Sequence, residues 1–321
     1  MKDGIFPELI VITGPTATGK STLGVQLAGA VDGEIVSADS MQVYMHMKIG
    51  TAAPTTEEMC GIPHHLINFV PPREDYSVAR YVSDASKCID DILRRGKRPV
   101  LVGGSGMYID SLIAGRCFQV RGNTGLRRKL EKEYDDIGSN AMLKKLRDVD
   151  AESAEKLCAN DKKRIVRALE VFETTGKPIS EHDKESKMIP LKYDALKIAL
   201  TFSDRADLYS GIDRRVDDMI SRGLINEVDS LLKMGVSRNS TSMQAIGYKE
   251  FSSVLTDDRD IINESVITGI GDKIKMESRR YAKRQLTWLR RDKNVKWIIW
   301  NGTPDYNSAV LNITELLNEK K

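Results

Sequence analysis

The chain has 321 residues, 40% hydrophobic and 30% charged, with a net charge of +3. This is the make-up of an ordinary soluble globular protein, long enough for one large core or two domains. No run of about 18 apolar residues occurs, which excludes a membrane-spanning helix. The opening Met1-Lys2-Asp3-Gly4-Ile5-Phe6-Pro7 is too short and polar to be a secretion signal. Cys60, Cys88, Cys117 and Cys158 are scattered, with no C-x-x-C pair. That argues against zinc and against a disulfide framework, and points to a reducing cytoplasm.

Leu9 to Thr13 read as a buried strand, and Ser21 to Val31 as a helix with Leu23, Leu27 and Ala30 at helical spacing. Between them Gly14, Pro15, Thr16, Ala17, Thr18, Gly19, Lys20 and Ser21 fit the phosphate-loop pattern G-x-x-x-x-G-K-[ST]. Glycines let successive N–H groups and the helix N-terminus surround phosphate oxygens. Lys20 adds a full charge, and Ser21 a hydroxyl suited to Mg²⁺. Gly33 to Ser37 read as a second strand ending at Asp39, a carboxylate where open α/β sheets bind ligands. His64 and His65 open a further short strand. Adjacent strand residues point to opposite faces, so this pair suits structural hydrogen bonding better than a metal.

Val78, Val82, Ala85, Ile89 and Ile92 predict an amphipathic helix stopping near Gly96, followed by a buried strand, Pro99 to Val102. That strand runs into Gly103-Gly104-Ser105-Gly106, where a Walker-type ATPase would place its magnesium-binding Asp. The glycines there suggest close approach of backbone to a ligand. Residues 121–190 read as helical, with stripes at Leu126, Leu130, Tyr134 and Ile137 and at Ile165, Leu169 and Phe172. Lys162, Lys163, Arg164 and Arg167 cluster at one helix start, where the dipole disfavours cations, so an external anion would explain them. Sheet rhythm resumes at Lys197 to Phe202. A late helix follows in which residues 273–296 hold ten Lys or Arg against two acidic side chains. Lys273, Arg280, Arg284 and Arg291 share one of its faces and Ala282, Leu286 and Leu289 another, which reads as a docked helix with a polyanion-facing stripe. Val295 to Trp300 read as a last strand. The expected organisation is α/β: a parallel-sheet core in residues 1–118, a helical insertion in 119–192, and the rest of the core in 193–321.

A diphosphate cradle beside a strand-end carboxylate serves two reactions. The carboxylate can act as general base while the cradle stabilises charge on the departing oxygen. In a kinase the nucleophile attacks phosphorus; in an alkyl transfer it attacks carbon and the whole diphosphate leaves. Spacing alone leaves both open, although the inserted basic module favours a large anionic acceptor.

The chain resembles the tRNA dimethylallyltransferases, also called tRNA isopentenyltransferases, along nearly its whole length. The resemblance rests on Gly14 to Lys20, Asp39-Ser40-Met41-Gln42-Val43-Tyr44, Ile49 to Ala52, Gly61 to Leu66, Val102 to Tyr108, Arg164 to Val171, Ile246 to Glu250 and Lys283-Arg284-Gln285-Leu286-Thr287-Trp288-Leu289-Arg290. It implies a P-loop NTPase-like (kinase-like) core with an inserted helical domain that grips the anticodon stem-loop. It also implies Mg²⁺, and transfer of the dimethylallyl group from dimethylallyl diphosphate to N6 of adenosine 37 in tRNA. The adenine would be extruded to reach the allyl carbon. By matching position, Asp39 is expected to be the base that orients N6, and Gly14 to Ser21 to hold the diphosphate. Ser105 is expected to aim a hydroxyl at the substrate and Arg215 to meet the departing diphosphate. Contacts to tRNA are expected from Asp39, Ser40, Met41 and Gln42; from Ser105 and Arg127; from Lys163, Arg164, Ile165, Val166 and Arg167; and from Gln244, Ala245, Ile246, Gly247, Tyr248 and Lys249.

The chain departs from the family pattern at Thr18 (usually Ser), Asn68 (often Asp) and Asp161-Lys162 (commonly Asp-Pro). The cysteine pattern and the end at Lys321 suggest the bacterial type, without the zinc finger that eukaryotic members often append. A monomer is expected. Three alternatives compete: an adenylate isopentenyltransferase, a small-molecule kinase with a strand-end Asp, and a non-catalytic tRNA-binding P-loop protein. The tRNA-matching stretch Arg164 to Val171 argues against the first, and the third leaves Asp39 without a role.

Overall fold

The structure is a computed structural model and describes residues 8–116, 124–255 and 263–319. The amino-terminal segment weighed as a secretion signal and Cys117 lie outside these residues. Contacts divide the chain into two units, Met1–Ile113 with Tyr193–Lys321, and Ala114–Lys192. The first break thus falls after Ile113 rather than after residue 118.

The larger unit is built on one six-stranded sheet: β1 (Leu9–Thr13), β2 (Gly33–Ser37), β3 (His64–His65), β4 (Arg98–Val102), β5 (Ala195–Phe202) and β6 (Lys296–Trp300). Strand order is β3-β2-β4-β1-β5-β6 and every pairing is parallel. Parallel strands need helical crossovers that cover both faces of the sheet, which is why β1 is apolar without alternation and both β1 and β2 are buried throughout, Glu34 and Ser37 of β2 included. From β1 the chain first goes to one side, through α1 (Lys20–Ala30) to β2, and later to the other, to β5. The order therefore reverses between β1 and β4, and the crevice beyond their carboxyl ends is where such sheets bind ligands.

Leu23 and Leu27 of α1 pack on Ile10, Ile12, Val100 and Val102. Ile313 and Leu317 of the last helix (Tyr306–Asn318) join the same cluster. On the far side of β4 lie helices α2 (Val78–Arg94), capped by Ser77, and α3 (Gly106–Ile113). The histidine pair is structural: His64 Nδ1 is 2.8 Å from the Ile62 carbonyl, and His65 Nε2 is 2.8 Å from Glu34 Oε2. Asn68 has φ +52°, a left-handed conformation that Asn tolerates better than most residues.

The smaller unit is helical: α4 (Thr124–Ile137), α5 (Ser139–Val149), α6 (Ala151–Glu155), α7 (Lys162–Thr175) and α8 (Ile179–Met188). Leu130, Met142, Leu146, Ile165, Val166 and Leu169 form its core, with Leu126 and Tyr134 packed against them. Ile137, at the end of the α4 stripe, is exposed. Gly176, with φ +70°, closes α7 in the left-handed conformation that glycine adopts without steric cost.

Candidate active site

The phosphate loop joins β1 to α1 and its shape is fixed from several directions. Gly14 has φ +139°, and a Cβ there would lie 2.5 Å from the Leu200 carbonyl oxygen, so only glycine fits. Thr18 is buried and its Oγ1 donates to the Pro15 carbonyl at 2.8 Å; replacing serine by threonine keeps that hydroxyl. From β6, Trp300 Nε1 donates to the Thr18 carbonyl at 3.0 Å. The loop therefore rests on a strand 282 residues away in sequence.

At the end of β2, Asp39 Oδ1 accepts the N–H of Met41 at 2.8 Å and of Gln42 at 3.3 Å. Its Oδ2 has no hydrogen-bond partner among the described residues. Loop, carboxylate and the turn after β4 line one cavity of about 750 Å³, together with Arg215 from α9 (Arg205–Ser221) and Tyr281 and Arg284 from α12 (Glu264–Leu289).

This cavity is cationic and short of counter-charge. Lys20 Nζ donates to the Pro15 carbonyl at 2.6 Å. Loss of solvent and the neighbouring Arg215 push its ammonium down to about 7, with Asp39 pulling the other way. Burial likewise lowers Arg215, again opposed by Asp39, while its Nη2 donates to the Thr51 carbonyl at 3.4 Å. Burial and the Asp39 charge raise the Tyr281 phenol to about 12, against a hydrogen bond with Ser105. An anion entering here would restore full charge to Lys20, so the site favours a phosphate-bearing ligand.

Several expected roles change. Ser105 is engaged within the protein, between the cavity-lining Ser40 and Tyr281: its Oγ accepts the Ser40 N–H at 3.0 Å and lies 3.3 Å from Ser40 Oγ. It ties the glycine turn to the strand end that carries Asp39, which is a positioning role. The Gln42 amide is engaged too, donating to the carbonyls of Thr51 at 3.3 Å and Ala52 at 3.2 Å and accepting from Ser37 Oγ at 3.2 Å. Tyr248 is fully buried and donates to Glu227 Oε1 at 2.5 Å. That carboxylate, on the helix α10 (Leu224–Lys233), also collects the N–H groups of Lys48, Ile49 and Gly50. Gly247 and Tyr248 are thus framework, while Ala245, Ile246, Lys249 and the exposed Gln244 line the cavity.

In the helical unit, Ile165 and Val166 face its core, so their side chains are not offered to a ligand. The cation cluster is partly neutralised within the unit: Lys162 pairs with Asp135 at 2.5 Å, and Arg127 and Arg167 both bind the buried Glu170 at 2.8 and 2.9 Å. Lys163 and Arg164 are exposed, Arg164 3.9 Å from Asp161.

Sequence reasoning missed Tyr281, Glu227, Glu170 and Gln285. For Gln285 a signal existed. It falls between Ala282 and Leu289 on the apolar side of α12, and a polar residue there needs a buried partner. It has two, the Thr16 N–H and the Gly104 carbonyl.

Fold and site define the class: a P-loop α/β protein with a cationic phosphate loop opposite a carboxylate with one free oxygen. Comparison with known proteins narrows this. A family model described as IPP transferase matches residues 42–292, and one described as isopentenyl transferase matches residues 7–68. A tRNA dimethylallyltransferase of Caldanaerobacter subterraneus subsp. tengcongensis is 46% identical over 98% of both chains. One from Geobacter sulfurreducens is 42% identical over 96% of both. Among solved structures, the tRNA isopentenylpyrophosphate transferase of Bacillus halodurans is 39% identical with a TM-score of 0.70, over 97% of this chain and 96% of that one. A eukaryotic dimethylallyltransferase acting on tRNA is 31% identical with a TM-score of 0.82, over 98% of this chain and 80% of that one. The chain belongs to the IPP transferase family, that of the tRNA dimethylallyltransferases.

Proposed function

We propose that the protein transfers the dimethylallyl group from dimethylallyl diphosphate to N6 of adenosine 37 in tRNA, releasing diphosphate. The observation that carries this reading is the pairing of a cationic phosphate loop with the free Oδ2 of Asp39 on one cavity. The N6 lone pair attacks C1 of the allyl group, the C1–O bond breaks, and the electron pair leaves on the diphosphate. Lys20, Arg215 and the loop N–H groups stabilise that charge where it develops. Asp39 Oδ2 accepts a hydrogen bond from N6–H and then its proton, while Met41 and Gln42 hold the other oxygen still.

Among the described residues, no group of three or more His, Cys, Asp or Glu side chains could hold a metal. The exposed Ser21 hydroxyl at the start of α1 fits a Mg²⁺ that takes its remaining ligands from diphosphate and water, as this ion prefers. Bound there, Mg²⁺ would neutralise the leaving group. On this reading the exposed Lys163 and Arg164, the Arg127–Arg167 pair and the outer side of α12 meet phosphates of the anticodon stem-loop. The protein works as a monomer in the cytoplasm.

The test is incubation of the protein with dimethylallyl diphosphate, Mg²⁺ and unmodified tRNA, followed by nucleoside analysis. N6-(dimethylallyl)adenosine at position 37 is the expected product. Prenylation of free AMP in preference to tRNA would replace this reading with the adenylate enzyme, and phosphate transfer from labelled ATP would replace it with a kinase.

A further inference from the structure

Gln285 joins two loops that are far apart in the chain. Its Oε1 accepts the Thr16 N–H at 3.1 Å and its Nε2 donates to the Gly104 carbonyl at 3.0 Å, with the residue only 8% exposed. Thr16 belongs to the phosphate loop after β1 and Gly104 to the turn after β4, so the amide spans the crevice where strand order reverses. Gly104 makes room for it: a Cβ there would lie 2.2 Å from Gln285 Nε2. The third anchor is α12 itself, which places Tyr281 and Arg284 on the cavity one turn before and one residue before Gln285. Backbone N–H groups bind phosphate well only when they are held in place beforehand, and an amide with both ends satisfied in a buried position holds them so.

We propose that Gln285 is a positioning residue through which α12 sets the grip of the phosphate loop on a diphosphate. The proposal rests on reading the loop as a diphosphate site. With the amide removed, the lip of the loop at Thr16 loses its only buried side-chain acceptor among the described residues, and the loop relaxes toward geometries that bind diphosphate less well. The same relaxation weakens the hold of the loop N–H groups on the charge that develops on the departing diphosphate, while tRNA binding is left largely unchanged.

Two independent substitutions break the same contact. Gln285→Met keeps the size and removes both hydrogen bonds. Gly104→Ala leaves α12 intact and drives the amide away, at a glycine whose backbone angles do not require glycine. Titration of inorganic diphosphate with Mg²⁺ should show each variant binding about tenfold more weakly than wild type. The double variant should be no weaker than either single one, because both remove one interaction. In turnover, kcat/KM for dimethylallyl diphosphate should fall at least about tenfold, while tRNA affinity stays within about threefold of wild type. Thermal melting identifies any variant that fails to fold. A lower melting temperature with unchanged diphosphate affinity, or additive losses in the double variant, overturns the assignment. If wild type binds no diphosphate at all, it is the functional reading that fails.

Discussion

The two units treat charge in opposite ways. At the phosphate loop the cations are enclosed: Lys20 and Arg215 lie near one another with Asp39 as their counter-charge, and burial holds both below their ordinary values. In the helical unit it is the anion that is enclosed. Glu170 is fully buried and two partly exposed arginines, Arg127 and Arg167, lie on it. Burial works to raise the Glu170 carboxyl, but hydrogen bonds from Arg167 and Arg127 outweigh it and keep the group below its usual value. The first arrangement is incomplete without an anionic ligand. The second is neutralised within the unit and holds two guanidinium groups in place, which on the proposed reading lets them meet RNA phosphates at little ordering cost.

The largest effect should come from the carboxylate that faces the enclosed cations. Asp39→Asn keeps the shape and the contacts to Met41 and Gln42 but cannot take a proton. Turnover should fall by about 10³-fold, within the range for loss of a general base, while tRNA affinity stays within a few-fold of wild type. Single-turnover rates and filter binding check the two parts. Equal turnover by the variant would mean that N6 loses its proton elsewhere.

Lys20 tests the enclosed side directly. Its folded value of about 7 lies below the unfolded 10.5, so between these pH values the unfolded chain binds the extra proton. Stability of the ligand-free protein should therefore rise with pH across that window. Lys20→Met removes the burden of the charge. It should melt higher than wild type at pH 7, with the gap closing toward pH 10. Inorganic diphosphate should reverse the order at pH 7, because the anion restores and pairs the charge in wild type alone. Melting curves at both pH values, with and without diphosphate, check this. Activity should fall by about 10²–10³-fold, as for loss of a main leaving-group contact.

The difference between the units also explains what could be read from the sequence. The phosphate loop and the strand-end Asp39 are local patterns, and apolar runs such as Leu9 to Thr13 mark buried parallel strands, so the sheet, the cradle and the carboxylate were all legible. The supports of the site were not. Trp300 beneath Thr18, Gln285 between Thr16 and Gly104, and Glu227 under Gly50 act across 177 to 282 residues, and no local period records such pairings. In the helical unit the stretch Lys162 to Arg167 read as one basic cluster. Helical geometry divides it: Ile165 and Val166 turn inward, Lys162 and Arg167 turn to carboxylates, and only Lys163 and Arg164 stand exposed.

The helical unit supplies the next contrast. Arg164→Ala removes an exposed cation, so tRNA binding should weaken and its salt dependence flatten by about one ion, with no change in melting temperature. Glu170→Gln removes the buried anion that holds two cations. It should lower stability by about 1–3 kcal/mol and weaken tRNA several-fold, through lost orientation rather than lost cations, so the salt slope should stay near that of wild type. Binding isotherms at several salt concentrations separate the two. A flattened slope in Glu170→Gln would mean that Arg127 and Arg167 do not act as a fixed pair.

The smallest functional effect is expected from a buried anion in the larger unit that lies outside the cradle. Glu34 on β2 is held by Arg95, after α2, and by His65 on β3, with Arg95 Nη2 2.8 Å from its Oε2. The Arg95 hydrogen bonds push its carboxyl down to about 2, against the opposing effect of burial. A depressed carboxylate contributes stability that is fully present above its unfolded value near 4.5 and is lost as pH falls toward 2. Glu34→Gln should therefore cost about 1–3 kcal/mol at pH 7 and progressively less below pH 4.5, while kcat/KM at 25 °C stays at the wild-type level. The comparison of Glu34→Gln with Asp39→Asn is the sharpest one the sheet allows. Both are carboxylates of the β2 segment, at its buried start and just beyond its end. The first should lower melting with turnover intact, and the second should abolish most turnover whatever it does to melting. A loss of turnover in Glu34→Gln would show that the β2–β3 edge, with its two histidines, reaches the chemistry after all.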